Sequence, residues 1–448
     1  MKKRLLSLLL VMLMLASLLS GCASDKETKD ASGTDANPAE DTDAKDNAST
    51  LKGDIVYWSM WQETEPQAEI LKNAIARFEA ANPDCSVSVE WNGRAVRDLV
   101  LPALEAGTQI DVFDADPTGF YAAAPEKLLD VTDFYESAAA QGSGTIKDNI
   151  LPGLVNWDSE LGKKAGLSGN HSVPYSPYVV SWFYNKQHFA DAGITKVPET
   201  WEEFDDACAK LVAAGHTPIT IDDAYLVLIV AYYIQRAIGI EEASKLAKEN
   251  GALWDNPQVL KMIEAMEDFA KKGYFSKNLI TNIYPAGQAE FALGNASMTM
   301  NGSWFPAEVA EIAPADFQWG EFAYPTVPDG ASLITENTIG GQAFMVNGAT
   351  GNKEAVYELL RYFVSDETQQ EFFENGLVPC TKNTEWPAEV SDQKAMVEAL
   401  TANVGWAGDL ETDFVLSVGL TEILKVISGD QSAQDCYTHI KKAALSGN

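Results

Sequence analysis

"HSVPYSPYVVSWFYNKQHFADAGITKVPETWEEFDDACAKLVAAGHTPIT" runs from residue 171 to residue 220. It holds the strongest helix signal in the middle of the chain. Thr200 and Glu203 have the spacing of a capping box, whose two side chains satisfy backbone N–H groups at a helix start. Trp201, Phe204, Cys208 and Leu211 then fall on one face at helical spacing, and Gly215 closes the run. Toward the N-terminus, "DIVYWS" (54–59) is a short continuous apolar run, the pattern of a strand buried on both faces. Residues 66–80 follow as a helix, with Thr64 and Pro66 at its start and Ile70, Ala74, Ile75 and Phe78 on one face. "SVSVEW" alternates Val87, Val89 and Trp91 as a strand. A further helix leads to "IDVFDAD", a second buried strand. Strand, helix, strand, helix, strand is the beginning of an open α/β sheet. On the C-terminal side, helices are expected at 257–272, 287–293, 353–364 and 366–374, the last capped by Asp366 and Gln369.

The chain begins with a basic "MKKR", an apolar "LLSLLLVMLMLASLL" and then Leu19-Ser20-Gly21-Cys22. This is a secretory leader, set aside before fold reasoning. The tetrapeptide resembles the bacterial lipobox, which implies cleavage after residue 21 and a lipid thioether on Cys22. Residues 22–52 are rich in Asp, Lys, Ala, Ser and Thr, with only Leu51 large and apolar. Such a segment cannot repay its ordering entropy, and as a coil it holds the body about 30 Å from the membrane. The remaining body, about 400 residues, favours two lobes over one core. Formal charge is −33; loss of Lys2, Lys3 and Arg4 with the leader makes it −36. That charge excludes a phosphate-backbone partner and suits a neutral or cationic ligand. Of the five cysteines, Cys22 is assigned to lipid. Cys85, Cys208, Cys380 and Cys436 allow two disulfides in three connectivities, but Cys208 on an apolar helix face reads better as a buried thiol.

The middle segment resembles the extracellular solute-binding proteins of bacterial ABC sugar importers, solute-binding family 1, to which maltose-binding protein belongs. The likeness lies in "VPYSPYVVSWFYNKQHFADAGI…VPETWEEF…AAGHTPI". It continues in order through "WDNPQV…GYF", "AEFALGNASMTMNGSW", "GGQAFMVNGAT…EAVYELLRYFVSDETQQEFF" and "ISGDQSAQD". It covers about 54–445. The resemblance implies a two-lobe α/β fold of the periplasmic-binding-protein type II kind, with a ligand cleft between lobes joined by hinge crossings. By analogy the N-terminal lobe is 53–175 with 330–378, and the C-terminal lobe is 176–329 with 379–448. The crossings fall near 173–178, 324–331 and 376–380.

Sugars offer C–H faces and rings of hydroxyls, so a sugar site stacks aromatics and aims carboxylates or amides. Trp304 follows an Asn-Gly turn in "MTMNGSW", and in relatives a tryptophan here stacks on sugar. Tyr225 matches a stacking position, with Asp223 as its hydrogen-bonding acid. Tyr178 lies where relatives place a polar contact on the crossing strand. Trp61 and Glu63 lie in the loop after the first strand; Trp58 is divided between strand core and site. Asp114 and Asp116 end a strand, where open α/β sheets bind ligands. Gly340, Gly341 and Gln342 match a loop where backbone approaches ligand, and Gly341 is taken as the contact. Trp406, in "NVGWAGD", is a late stacking ring. Trp91, Trp157, Trp182 and Trp201 are read as core. Asp114, Asp116 and Gly119 outline a calcium loop that Glu126 misses by one residue, so neither metal nor cofactor is expected.

The resulting expectation is a monomeric, lipid-anchored binding protein on the outer face of the cytoplasmic membrane. It would capture a carbohydrate, an oligosaccharide by preference, by hinge closure and hand it to a membrane permease whose partner ATPase supplies energy. The chain itself has no GxxxxGK[ST] loop. The alternatives are the same fold binding a polyamine or peptide, and a surface glycoside hydrolase using two of the 65 acids. No GxSxG or HExxH nucleophile or metal motif favours the enzyme.

Overall fold

The computed structural model describes residues 51–139, 144–248 and 251–446. The leader, Cys22 and the tether up to residue 50 lie outside these residues. The first strands and helices are β1 (Gly53–Ser59), α1 (Pro66–Ala81), β2 (Cys85–Trp91), α2 (Val96–Glu105) and β3 (Val112–Ala115). β1 lies parallel to both β2 and β3, the open α/β start expected from its pattern. β3 is buried along its whole length, whereas β1 alternates buried Ile55, Tyr57 and Ser59 with half-buried Val56 and Trp58. The later strands are β4 (Val173–Asn185), β5 (Met298–Gly302), β6 (Trp319–Phe322), β7 (Glu336–Asn337), β8 (Ile339–Val346) and β9 (Ala402–Asn403).

The main sheet runs β2-β1-β3-β8-β4-β5, with β6 on the other edge of β4. β4 has 13 residues, about 40 Å of extended chain, and serves two lobes. Val173–Val179 pair antiparallel with β8, and Val180–Asn185 pair antiparallel with β5 and β6. Burial follows this split. Tyr57, Phe78, Phe113, Tyr175, Val179, Phe344 and Phe363 belong to one apolar core. Val180, Trp182, Trp201, Phe204, Phe269, Phe322 and Tyr324 belong to a second. The second core includes α3 (Trp201–Ala213), α4 (Leu226–Ile238) and α5 (Pro257–Lys271). The capping box forms as read: Thr200 Oγ1 accepts from Glu203 N, and Glu203 accepts from Thr200 N. Helices at Ala286–Ala292, Lys353–Phe363 and Asp366–Glu374 match their expected spans closely. The last is capped by Ser365, which accepts from Thr368 N, not by Asp366. The four cysteines Cys85, Cys208, Cys380 and Cys436 are buried free thiols.

The lobe boundary differs from the expected one at the C-terminal end. Cys380, Trp386, Val390 and Val397 pack in the first core, and the chain enters the second only by Val404. The segment 379–400 has sparse apolar residues and no sustained period, so analogy alone placed the break, at Pro379. The other late passage lies between Val327 in the second core and Ile339 in the first. These two passages run side by side. β7 and β9 pair in parallel, Thr401 N donates to Thr335 O at 3.1 Å and Val404 N to Asn337 O at 3.0 Å. Ile339 N donates to Asn403 Oδ1 at 3.0 Å. Arg236, on α4 and 1% exposed, clamps the same ribbon. Its guanidinium donates to the carbonyls of Tyr324, Leu333 and Glu336 and to Asn337 Oδ1.

Candidate ligand-binding cleft

A cleft of about 1140 Å³ is bordered by both cores. From the first come Trp61, Arg97, Asp116 and Gln342; from the second, Tyr178, Trp304 and Trp406, with Asp409 and Glu411 beside the last. The second-core rings form one wall. Tyr178 meets Trp304 edge-on at 5.5 Å and Trp406 edge-on at 6.0 Å, and Trp304 stacks near-parallel to Trp406 at 6.0 Å and 26°. Offset and edge-to-face contacts at these separations are the favoured aromatic geometries.

Local backbone explains why these rings are here. Asn301-Gly302 is not a turn but the end of β5, with Gly302 opposite Val180. A Cβ at Gly302 would lie 2.3 Å from the Trp304 ring, so only glycine lets the indole fold back over the strand end. A Cβ at Gly340 would lie 2.5 Å from the Tyr178 ring, so the bare backbone of β8 is where Tyr178 lies. Trp406 is followed by three residues in the left-handed region, Ala407 (φ 47), Gly408 (φ 60) and Asp409 (φ 64). For the two that are not glycine this is strained backbone, of the kind that collects at ligand sites. Ala407 N is held by the Tyr232 hydroxyl at 3.1 Å, and that hydroxyl also meets Thr338 Oγ1 at 2.6 Å.

Five of the ten sequence-derived contacts line this cleft: Trp61, Asp116, Tyr178, Trp304 and Trp406. The Tyr178 hydroxyl donates to Asp116 Oδ2 at 3.5 Å. Burial, and then the Asp116 charge, push that phenol well above its usual range, so it stays a neutral donor. Asp116 also caps Thr118 N at 2.9 Å. The other five stand elsewhere. Asp114 is fully buried beneath the cleft, and its carboxylate accepts from the Tyr57 and Tyr175 hydroxyls and from Met60 N. Burial pushes it up to about 6 against those hydrogen bonds. Glu63 is exposed and pairs with Lys72 at 3.1 Å. Asp223 is exposed and accepts from Ala224 N and Tyr284 N. Gly341 packs on the backbone of Ser176 and Pro177. Tyr225 stands behind the wall, where its hydroxyl accepts from Trp304 Nε1 at 3.3 Å.

Among the other lining residues, Arg97, Asp409 and Glu411 were not singled out from sequence, and Gln342 only as part of a loop whose backbone approaches ligand. Gln342 Oε1 is buried without a donor among the described residues. Asp409 and Glu411 follow Trp406 by three and five residues, and acids so close to a loop tryptophan were a readable signal. Arg97 sits in the first turn of α2 and carried none. The lining thus combines stacking rings, amide and carboxylate acceptors, and a hydroxyl donor. Rings of this kind match C–H faces and such polar groups match hydroxyls; among the described residues no cluster of three or more His, Cys, Asp or Glu could hold a metal.

The multiple sugar-binding protein of Streptococcus mutans is 24% identical over 345 residues, 74% of this chain and 76% of that protein. The sn-glycerol-3-phosphate-binding periplasmic protein UgpB of Escherichia coli K12 is 24% identical over 343 residues, 73% of this chain and 74% of that protein. The apo structure of RafE from Streptococcus pneumoniae superposes with a TM-score of 0.69 at 20% identity, covering 89% of this chain and 98% of RafE. RafE in complex with raffinose superposes at 0.62. The structural likeness shows a shared two-lobe fold. The sequence profile of the bacterial extracellular solute-binding proteins matches residues 61–370, well over half of the chain, and the protein belongs to that family.

Proposed function

We propose that this protein is the solute-capturing component of an ABC importer, that its solute is a carbohydrate, and that an oligosaccharide is preferred. The observation that carries the reading is the wall of Tyr178, Trp304 and Trp406 facing Trp61, Asp116 and Gln342. Its rings match the C–H faces of pyranoses, and its acceptors match their hydroxyls. Among the relatives, one is named for multiple sugars and one for sn-glycerol-3-phosphate. Here Arg97 and Lys164 are outnumbered by Asp116, Asp409 and Glu411 along the lining, which disfavours a phosphate and supports a neutral ligand. Capture is by rotation of the lobes about the three crossings, and delivery is to membrane permease subunits. The lipobox at Cys22 supports a lipid anchor on the outer face of the cytoplasmic membrane, and a monomer is part of the same reading. The family is one of binding proteins, and catalysis is no part of this reading.

A thermal-shift screen of the mature chain against mono-, di- and oligosaccharides, sn-glycerol 3-phosphate, polyamines and short peptides tests it. Ligand raises the melting temperature by mass action. A dose-dependent rise with tri- or tetrasaccharides and none with the others is expected. A rise confined to polyamine or glycerol phosphate overturns the ligand class.

A further inference from the structure

The chain's tryptophans divide by what their indole nitrogens do. Among buried ring nitrogens, those of Trp58, Trp182, Trp254 and Trp386 have no acceptor among the described residues. Each of these rings is held by packing alone, and three of them are at most 5% exposed. Four tryptophans line the cleft; Trp157 is packed in the first core at 5% exposure, and the other three behave differently. Trp61 Nε1 donates to the Tyr175 hydroxyl at 2.6 Å, Trp304 Nε1 donates to the Tyr225 hydroxyl at 3.3 Å, and Trp406 Nε1 donates to Glu411 Oε2. Each acceptor comes from a different part of the chain. Tyr175 lies on β4, Tyr225 immediately precedes α4, and Glu411 lies five residues beyond its own tryptophan.

A ring packed on all sides is oriented by its neighbours. A ring that must leave one face bare for a ligand lacks half of that packing, and rotation about its χ angles is opposed by less. A hydrogen bond from the far edge of the indole replaces the missing restraint without covering the face. We infer that Tyr175, Tyr225 and Glu411 are positioning residues, each fixing the orientation of one cleft indole before ligand arrives. This goes beyond the proposed function, and its consequence for affinity rests on that reading. The inference also explains two positions in the fold. Tyr225 stands behind the cleft wall, on the side where Trp304 presents its nitrogen. The Tyr175 hydroxyl donates its own hydrogen bond to Asp114 Oδ2, which leaves its lone pairs for Trp61. Asp114 is in turn held by Tyr57 and Met60 N, so the Trp61 restraint is anchored to β1 and β3. The Arg94 guanidinium lies over the Trp61 ring at 4.7 Å, and that ring is 6% exposed, so Trp61 is held by packing as well, whereas Trp304 and Trp406 are half-buried.

Preorganisation of this kind lowers the ordering cost of binding. Loss of one neutral hydrogen bond of this type weakens binding by about 3- to 10-fold. The first test needs no ligand. In the whole mature chain with 15N-labelled tryptophan, each indole N–H gives one resonance, assigned by single Trp→Phe variants. Tyr175→Phe, Tyr225→Phe and Glu411→Ala are each expected to shift and broaden the resonance of their own partner, Trp61, Trp304 or Trp406. Those of Trp58, Trp182, Trp254 and Trp386 stay unchanged, and Glu411→Gln, which keeps an acceptor, restores the Trp406 signal. Unshifted, sharp cleft resonances in these variants overturn the inference, whatever the ligand proves to be. The second test uses raffinose, maltotriose and chitotriose in calorimetry. With whichever binds, Tyr225→Phe is expected to weaken binding in the parent and to have no further effect in a Trp304→Phe background. Equal loss in both backgrounds overturns a positioning role for Tyr225. If none of the three binds, the sugar reading is what suffers, and the resonances still decide the inference.

Discussion

Glu321 gives the sharpest pH test of this fold. It sits on β6, 5% exposed, where Oε2 accepts from Ser181 Oγ on β4 at 2.7 Å and from Gln393 Nε2. Gln393 belongs to the helix Ser391–Glu398, which packs through Val397 on the first core. The contact therefore ties one lobe to the other. Glu321 Oε1 and Gln393 Oε1 are both buried acceptors without a donor among the described residues, and a proton on Glu321 supplies one. Burial drives its carboxyl from 4.5 up to about 8, with nearby Asp392 adding to the rise and Lys186 opposing it. The folded state then binds the proton more tightly than the unfolded state, so stability falls as pH rises from about 4.5 to about 8 and is level above. The shift corresponds to about 4–5 kcal/mol, an upper bound once water penetration and relaxation are allowed for. Glu321→Gln keeps the shape and stays neutral. It is expected to match the parent within about 1 kcal/mol at pH 5 and to exceed it by about 2–4 kcal/mol at pH 9. For a body of this size that gain is about 3–5 °C in melting temperature. Urea titrations of both proteins at pH 5, 7 and 9 measure it. The difference between the two is what counts, because Asp114 and Asp158, each pushed to about 6 by burial, contribute equally to both. A constant difference across that range refutes the assignment of a buried, protonated Glu321.

Three further outcomes are expected. Trp304→Ala removes the centre of the aromatic wall and weakens oligosaccharide binding by about 1–3 kcal/mol, read by calorimetry. Unchanged affinity removes it from the site. Arg236→Met strips the donors from the carbonyls of Tyr324, Leu333 and Glu336 and costs about 2–5 kcal/mol in urea unfolding; a loss below about 1 kcal/mol means the ribbon holds without its clamp. Thr200→Ala loses one half of a capping box and costs about 1 kcal/mol, and no change in the unfolding midpoint would show that the end of α3 is fixed by Trp201 packing alone.

The parts of this fold that could be read from sequence are those where local chemistry and tertiary packing agree. Thr200 and Glu203 cap a helix whose apolar face meets the second core, so either signal alone finds it. The parallel β1, β2 and β3 were readable because their periods differ from those of the helices between them. The cleft was half readable. The resemblance placed Trp304, Trp406 and Tyr178, whereas Trp61 and Asp116 were read from their places in a loop after the first strand and at the end of a strand. Asp114 is buried within β3 while Asp116 lies just beyond its end at Ala115, and "DAD" does not say where the strand stops. Tyr225 was read as a stacking ring from the resemblance, and a position match does not show that its hydroxyl accepts from Trp304 Nε1. The segment 379–400 could not be divided between lobes, since its membership is decided by long-range contacts of Trp386, Val390 and Val397 that leave no periodic trace.

The paired ribbon of β7 and β9 has a mechanical consequence. Three independent linkers between two bodies would permit bending, twisting and sliding. Here two of the three passages are laced to each other through Thr335–Thr401, Asn337–Val404 and Asn403–Ile339, and the third is a continuous strand bonded on both sides of the divide. Torsion would shear the lacing and sliding would break strand register, whereas bending about an axis across the ribbon disturbs neither. On the proposed capture by lobe rotation, one soft degree of freedom remains, and every ligand that fits would drive the molecule along the same path to the same end point. A membrane partner can then recognise occupancy by outline alone, whichever member of a ligand series is inside.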